Sequence, residues 1–534
     1  MIKPLKIKDP IFGYIPVEDD DLYTVINSAM FHRLQDIIQT SYQSVYPSAT
    51  HNRFTHSLGV YHLGQMAVRK LEKDILDHHL LNGKEIKKLA KTFILACLMH
   101  DIGHSPFSHT GEKFYFQYAE DNSEIPQIWI QLLNVLNDED FVKDSNGRTK
   151  TKGAEHEIMS AYVSLLNFKS IFRYLDKSFF VRCIIGLKYE NKKDIRNCFI
   201  ELLNSKTIDV DKLDYLIRDS FITGFKSINI DYERLLNAIC VIQDNDAVSL
   251  GFEKSALSTL ENVILAHDME KKWIQNHPVI KYECYLVSYM IAKTQAYYKS
   301  HKVELFSPQA LSEKGAGRGD RKICLLADSD IKAYTKRFYS NDPIIQEYFA
   351  REIRRKPLWK SESEYRILFD QRGIDKPILD ELESRISSLE DLLVGKFDIP
   401  IINQDSLDYL QSELPDESLP AKIRTGKTDE LKKSIDLLNV LKSYSEKKNL
   451  SFEYVLVSAK QFTTGFNKDE FKTIKVRFDD TNIKTLESVI YLFSAEQPRE
   501  NFFYLFADSK VKSMIDVREM TFELASFILK EYNK

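Results

Sequence analysis

Cysteine is sparse and scattered in this chain. Six residues (Cys97, Cys183, Cys198, Cys240, Cys284 and Cys324) stand far apart in 534 positions, and none forms a C-x-x-C pair. That spacing argues against a disulfide framework or a zinc–thiolate site and fits reduced thiols in a cytosolic protein. No apolar run is long enough to cross a bilayer, and MIKPLKIKDPIFGYIPVEDDD lacks the apolar core of a signal peptide. The sequence therefore reads as soluble and cytoplasmic, with no membrane partner. Neither sign of charge is in surplus: 74 Lys and Arg against 78 Asp and Glu leave a formal net charge of −4. A global pull toward nucleic acid is thereby excluded, although a local basic patch is not. The glycines of Leu311–Lys322 (LSEKGAGRGDRK) lack G-x-x-x-x-G-K-[ST] and read as a connector, not a phosphate loop. Internal repeats and low-complexity tails are also missing.

What is present is helical periodicity. LYTVINSAMFHRLQDIIQ, SLGVYHLGQMAVRKLEKDIL, IKKLAKTFILACLMHDIGH and LENVILAHDMEKKWI repeat apolar residues every three or four positions. Helices continue through ELESRISSLEDLLV and DELKKSIDLLNVLKSY. Then EYVLVSAKQF, TIKVRF and NFFYLFA read as strands, before a last helix, TFELASFILKEY. The expected class is mainly α, a helical core with a smaller C-terminal α+β region. The expected division is 1–300 and 301–534.

Three separated segments carry residues suited to a cation. HNRFTHSLG supplies His56, MHDIGHSPFSH supplies His100 and Asp101, and IDVDKLDYLIRD supplies Asp211. Two imidazoles and two carboxylates can close around one divalent ion: Mn, Fe, Zn or Ni, with Mg less suited to imidazole. With four protein ligands, an octahedral ion retains positions for water and a phosphate oxygen, the chemistry of phosphate-ester hydrolysis.

Neighbouring residues extend the pattern. His104 lies one turn beyond His100, while Gly103 and Pro106 predict that the helix ends nearby and place His109 on a turn. A histidine beside a cation but not bound to it is suited to protonating a leaving oxygen, and His156 in GAEHE is a further candidate. Arg53, three residues before His56, is placed to bridge phosphate oxygens. Lys212 would neutralise phosphate, and Tyr215 and Asp219, on the helical stripe of Asp211, would hold sugar hydroxyls. His32, His62, His78, His79 and His301 read as ordinary core or surface histidines.

The residues H…HD…D resemble the HD phosphohydrolase superfamily. More narrowly, DPIFGYI, FHRLQDIIQ, HNRFTHSLGV, HDIGHSPFSH, the HE of GAEHE and DVDKLDYLIRD resemble the deoxynucleoside triphosphate triphosphohydrolases, with no SAM domain expected here. The resemblance implies an HD-domain helical core and hydrolysis of a deoxynucleoside triphosphate to deoxynucleoside and inorganic triphosphate. It also implies one divalent metal ion held by His56, His100, Asp101 and Asp211. His104 would contact the α-phosphate. His109 would be the general acid, supported by Glu112, where the family usually has aspartate, and by His156. Arg53, Lys212 and Tyr215 would bind the triphosphate, and Gln39 and Asp219 the 3′-hydroxyl. Arg234 would match a phosphate-binding arginine of an allosteric site, and the chain would assemble as a homo-oligomer, dimer or tetramer. Asn27, His32 and Gln35 replace the family's guanine-recognising activator residues. Gln275-Asn276-His277 replaces a Tyr-Gln-His pattern near the base, and Thr40 replaces a leucine under the sugar. The resulting expectation is a metal-dependent dNTP hydrolase, nucleotide-activated in some relatives, serving dNTP pool control or defence against phage. The competing readings are an HD phosphodiesterase or nuclease on cyclic or oligonucleotides, and a nucleotide-sensing or single-strand-binding assembly protein.

Overall fold

A computed structural model describes residues 5–115, 126–145, 153–225, 229–244, 246–317, 319–370, 376–414, 427–460, 474–479, 482–490 and 501–532. Two compact units interleave along the chain. The first comprises residues 1–270, 294–333 and 464–496, and the second 271–293, 334–463 and 497–534. The class is mainly α, as expected.

The first unit opens with an antiparallel hairpin, Leu5–Asp9 against Gly13–Val17, which helical periodicity did not announce. Asp9 closes its turn by accepting from the Ile11 and Phe12 amides. LYTVINSAMFHRLQDIIQ is not one helix. It divides into Asp20–Ile26, Ala29–Arg33 and a short 3-10 turn, Leu34–Asp36. The break is local chemistry: Asn27 caps the first helix, and the Ser28 hydroxyl accepts from the Phe31 amide to start the second.

The frame of the unit is the helix Arg53–Asp77, capped by Asn52 and packed against the helix Gly83–Met99, whose start is a capping box of Asn82 and Glu85. Val60, Leu63, Ala67, Leu71 and Ile75 of the first helix are buried, as are Phe93, Leu95 and Leu98 of the second. Each large side chain of this kind contributes about 1.5–3 kcal/mol by leaving water. The helix Val210–Thr223 packs across Arg53–Asp77 at Gly59. A Cβ there would lie 1.8 Å from Asp214 Oδ1, so only glycine permits the approach.

A four-stranded sheet completes the unit, in the order Ile239–Gln243, Val248–Glu253, Lys475–Asp479, Asn482–Thr485. The first pair interrupts the mainly helical stretch. TIKVRF joins this sheet, parallel to Val248–Glu253, and does not pair with the other two C-terminal runs. Arg477 pins it by hydrogen bonds to Glu253 and the Val241 carbonyl.

In the second unit, Asn501–Ala507 pairs antiparallel with Tyr454–Lys460, flanked by Lys356–Pro357 and Ile401–Ile402. The helices Lys376–Phe397, Lys427–Lys447 and Val517–Tyr532 pack on one another, and the first lies on the sheet. This unit buries acids among donors. Glu347 accepts from Tyr282 Oη, the Arg355 guanidinium and the Arg355 amide. Glu390 accepts from Tyr285 and from the Ser458 amide and hydroxyl, and Glu383 accepts from Tyr365 Oη at 2.9 Å. Among the described residues no helix is long and apolar enough to cross a membrane.

Candidate metal centre

Four residues from three segments meet in the first unit. His56 lies in the first turn of Arg53–Asp77, and Asp211 in the first turn of Val210–Thr223. His100 is the C-cap of the helix that ends at Met99, so the helix stops earlier than Gly103 and Pro106 suggested. Tight turns carry the chain on, with Ile102 N donating to Met99 O and His104 N to Asp101 O. Gly103 is needed here because its missing Cβ would lie 2.3 Å from the Ser160 amide nitrogen.

The turn is held from a distance. The buried Arg33 guanidinium donates to the carbonyls of Ile102, His104 and Leu326. Asp328 accepts from the Phe107 amide at 2.6 Å and the Ile38 amide at 3.1 Å. Phe107 and Ser108 both have positive φ, 58° and 52°, two successive non-glycine residues in a costly region. Such strain amounts to about 1–3 kcal/mol per residue and persists only where surroundings enforce it. Ser108 is enforced: its hydroxyl donates to Ile38 O and accepts from Arg53 Nε.

The donor atoms converge. His56 Nε2 lies 2.9 Å from Asp211 Oδ1, 3.3 Å from His100 Nε2 and 3.6 Å from Asp101 Oδ2. His100 Nε2 lies 3.4 Å from Asp101 Oδ1 and 3.5 Å from Asp211 Oδ1. Cation bonds of about 2.0–2.2 Å put neighbouring donors roughly 3–3.5 Å apart around one ion. The spacing fits.

The tautomers fit as well. His56 Nδ1 is 2.7 Å from Asp214 Oδ2, and His100 Nδ1 is 2.9 Å from the Cys97 carbonyl. With Nδ1 donating to those acceptors, each Nε2 turns a lone pair toward the two carboxylates. The two nitrogens and the Asp101 carboxylate then gather in a site where His56 is 0% and Asp101 1% exposed, with Asp211 Oδ1 beside both nitrogens. Burial opposes charge on His56, yet Asp211 and Asp214 push its imidazole up to about 9. Asp101 is driven the other way: burial opposes its charge, but Arg53, His100 and His56 hold the carboxyl well below its usual range. The carboxylate field that favours a proton on His56 is the field that would hold a cation.

A second cluster adjoins the first. His109 Nδ1, His156 Nδ1 and His104 Nδ1 lie 2.7, 2.9 and 3.5 Å from Glu112 Oε1. The rings of His104 and His156 stack with centroids 4.2 Å apart. His104 is fully buried, and its imidazole is pushed well below the usual range by desolvation and by Arg53 and His156. His156 goes up to about 9, because Glu112 outweighs its burial. The His109 side chain is 67% exposed and is the member of the cluster that solvent reaches most freely.

Gln39, His51 and Asp219 form a third, polar group. His51 Nε2 is 2.7 Å from Asp219 Oδ1, and the His51 carbonyl accepts from the Gln39 amide. Gln39 Oε1, Thr40 Oγ1 and His51 Nδ1 are buried without a hydrogen-bond partner among the described residues. Unpaired buried polar atoms are costly unless a ligand pairs them. Arg53 joins this group to the His56–His100–Asp101 cluster, donating to Asp101 Oδ2 at 2.7 Å, Ser108 Oγ at 2.8 Å and Gln39 O at 3.3 Å.

The remaining sequence candidates lie nearby or apart. Lys212 donates to Asp209 Oδ2 and to Ser205 O, both at 2.7 Å. Tyr215 follows on the same helix, with its phenol raised by burial and by Glu270. Arg234 is exposed on the short helix Tyr232–Asn237 and donates to Ser255 O. Among the participants that escaped the sequence reading are His51, Asp214, Asp328 and Arg33. Asp214 sits three residues after Asp211, a helical spacing that could have singled it out. His51 stands inside the quoted HNRF stretch, but nothing local distinguishes it. Asp328 comes from a distant segment and leaves no sequence signal.

Residues 53–128 match the HD domain model, a stretch that contains His56, His100 and Asp101 and ends before Asp211. Whole-chain comparison finds similarity both to proteins named deoxynucleoside triphosphate triphosphohydrolases and to uncharacterized proteins. It is 26% identical to human deoxynucleoside triphosphate triphosphohydrolase SAMHD1 over 70% of this chain and 55% of that protein. The Dictyostelium discoideum SAMHD1 homolog is 31% identical, over 45% of this chain and 40% of its own length. An uncharacterized Mycoplasma genitalium protein is 28% identical over 48% of this chain; the match spans 53% of that relative, about half its length. In fold, a hypothetical protein from Aquifex aeolicus superposes with a TM-score of 0.57 at 16% identity, covering 97% of this chain and all of that one.

Proposed function

We propose that this chain is a metal-dependent phosphohydrolase that cleaves deoxynucleoside triphosphates to deoxynucleoside and inorganic triphosphate. The observation that carries the reading is the convergence of His56 Nε2, His100 Nε2, Asp101 and Asp211, with each histidine's Nδ1 engaged elsewhere. Its likeness to proteins named deoxynucleoside triphosphate triphosphohydrolases supports the substrate class.

In this mechanism His56, His100, Asp101 and Asp211 hold one divalent ion, which when bound lowers the proton affinity of water and polarises a phosphoryl oxygen. Arg53 fixes Asp101 and shares the triphosphate charge with Lys212 and Tyr215. His104, buried and neutral, donates a hydrogen bond to the α-phosphate. His109, backed by Glu112 and His156, gives its proton to the departing 5′-oxygen. Gln39 and Asp219 hold the 3′-hydroxyl, with Asp219 oriented by His51. Arg234 belongs to a nucleotide-binding surface of a homo-oligomer, and the region 301–534 serves regulation or assembly.

A product assay tests this. Protein loaded with Mn²⁺ or Mg²⁺ is given each dNTP alone and then all four, and products are separated by ion exchange. Deoxynucleoside plus triphosphate is expected, and activity confined to the mixture would identify nucleotide activation. Metal-loaded protein that releases nothing from any dNTP refutes the proposal and moves the search to cyclic and oligonucleotides.

A further inference from the structure

Glu112 is more crowded than a proton relay requires. One imidazole–carboxylate pair suffices to hold and pass a proton. Here three imidazoles address one carboxylate oxygen, from His109, His156 and His104. One donor atom from each of His104, His109, Glu112 and His156 lies within 4.8 Å of the others. The His104 and His156 rings stack with centroids 4.2 Å apart at an interplanar angle of 12°, so a ring must tilt before both can aim a lone pair at one ion. Neither ring nitrogen of His104 has a hydrogen-bond partner among the described residues, although the residue is fully buried. Three donors are packed in place, while the exposed His109 stands over them as the first residue of the short helix His109–Glu112, not on a turn as its sequence suggested, just after the strained Phe107 and Ser108.

We propose that His104, His109, Glu112 and His156 form a second cation site for a borderline transition metal such as Zn²⁺, and that filling it switches the neighbouring centre off. The site shares no donor with His56, His100, Asp101 and Asp211. Three imidazole nitrogens and one carboxylate oxygen suit Zn²⁺, whereas Mg²⁺ and Ca²⁺ favour oxygen. Tetrahedral zinc places its ligands roughly 3.3 Å apart, so metal entry requires the exposed His109 ring to rotate and the stacked His104 and His156 rings to tilt toward one point. Four protein donors close the coordination sphere, so this second ion has no open position for a substrate. It occupies the nitrogen lone pairs and releases the protons that His109 and His104 would otherwise use. Metal capture stands on this geometry alone; inhibition rests on the proposed roles of these histidines.

The test uses the full chain loaded with one equivalent of Mn²⁺ and titrated with Zn²⁺. Bound metals are counted by mass spectrometry after free metal is removed, and the zinc ligands are read by X-ray absorption. One Mn²⁺ retained and one Zn²⁺ added, with three nitrogens and one oxygen around the zinc, is the expected result. His109→Ala and Glu112→Gln are each expected to weaken zinc binding about tenfold or more while Mn²⁺ stays at one equivalent. Zinc that merely replaces manganese, or a second equivalent that binds equally well in both variants, overturns the proposal. Hydrolysis of dNTPs is followed in parallel. Its absence before zinc is added counts against the proposed function, and the metal count still decides the second site.

Discussion

Acidic side chains are buried in both units, but their surroundings differ. In the second unit Glu347 and Glu390 are ringed by donors: phenols, a guanidinium, backbone amides and a hydroxyl. In the first, Asp101 and Asp211 face the acceptor nitrogens of His56 and His100. A carboxylate met by donors is satisfied and holds its neighbours in register. Acceptors turned on acceptors repel until a proton or a metal ion enters. The lesson is that burial and charge do not by themselves mark a functional site; the sign of the unmet demand does.

The largest test of this contrast is Asp211→Asn. Asp211 is the most exposed of the four donors, at 37%, so the change spares the core. Metal affinity, measured by competition with a chelating dye, is expected to fall about 100-fold or more, with the unfolding midpoint nearly unchanged. In the other unit the effects should exchange places. Glu347→Ala leaves the Arg355 guanidinium buried without that partner, and urea unfolding should show a loss of about 3–5 kcal/mol with metal affinity intact. A variant of either kind that moved both quantities equally would erase the distinction.

Asp214→Asn probes the support beneath the metal centre. It removes the charged acceptor that fixes the His56 tautomer, and metal affinity should fall about 10–100-fold. A smaller effect follows from Asp328, which burial raises to about 7 from 3.8. Between those values the folded protein keeps a proton that the unfolded chain has lost. Its contribution is therefore full below pH 3.8 and is lost as pH rises toward 7. Asp328→Asn stays neutral throughout, so its stability relative to the parent should rise across that window and level off above it. Denaturant titrations at several pH values measure the difference, and a flat difference removes Asp328 as the titrating group.

Much of the first unit was legible because its signals are local. Apolar spacing marks Arg53–Asp77 and Gly83–Met99, whose starts the structure shows capped by Asn52 and Asn82. His56, His100, Asp101 and Asp211 were singled out by residue type and resemblance, and they do meet in space. The hairpins were harder. Ile239–Gln243 is buried at four successive positions, and a short apolar run of that kind reads equally as helix or strand. TIKVRF looked like its C-terminal neighbours, but besides Asn482–Thr485 it pairs with a strand that ends more than two hundred residues earlier, at Glu253. Donor-to-acceptor detail was illegible altogether: His51 on Asp219 and Arg33 on three carbonyls depend on tertiary placement, which no window of sequence contains.

Arg33 ties the turn after His100-Asp101 to the carbonyl of Leu326, and Asp328 holds the next stretch of that turn. The chain is made from its N-terminus. A ribosome that has reached residue 300 has already delivered every cation-facing side chain, but not the carbonyl and carboxylate that hold their backbone still. The backbone under the candidate centre is therefore completed by a segment that carries none of its chemistry, and a nascent chain ending before Leu326 is expected to hold that turn less firmly than the full chain.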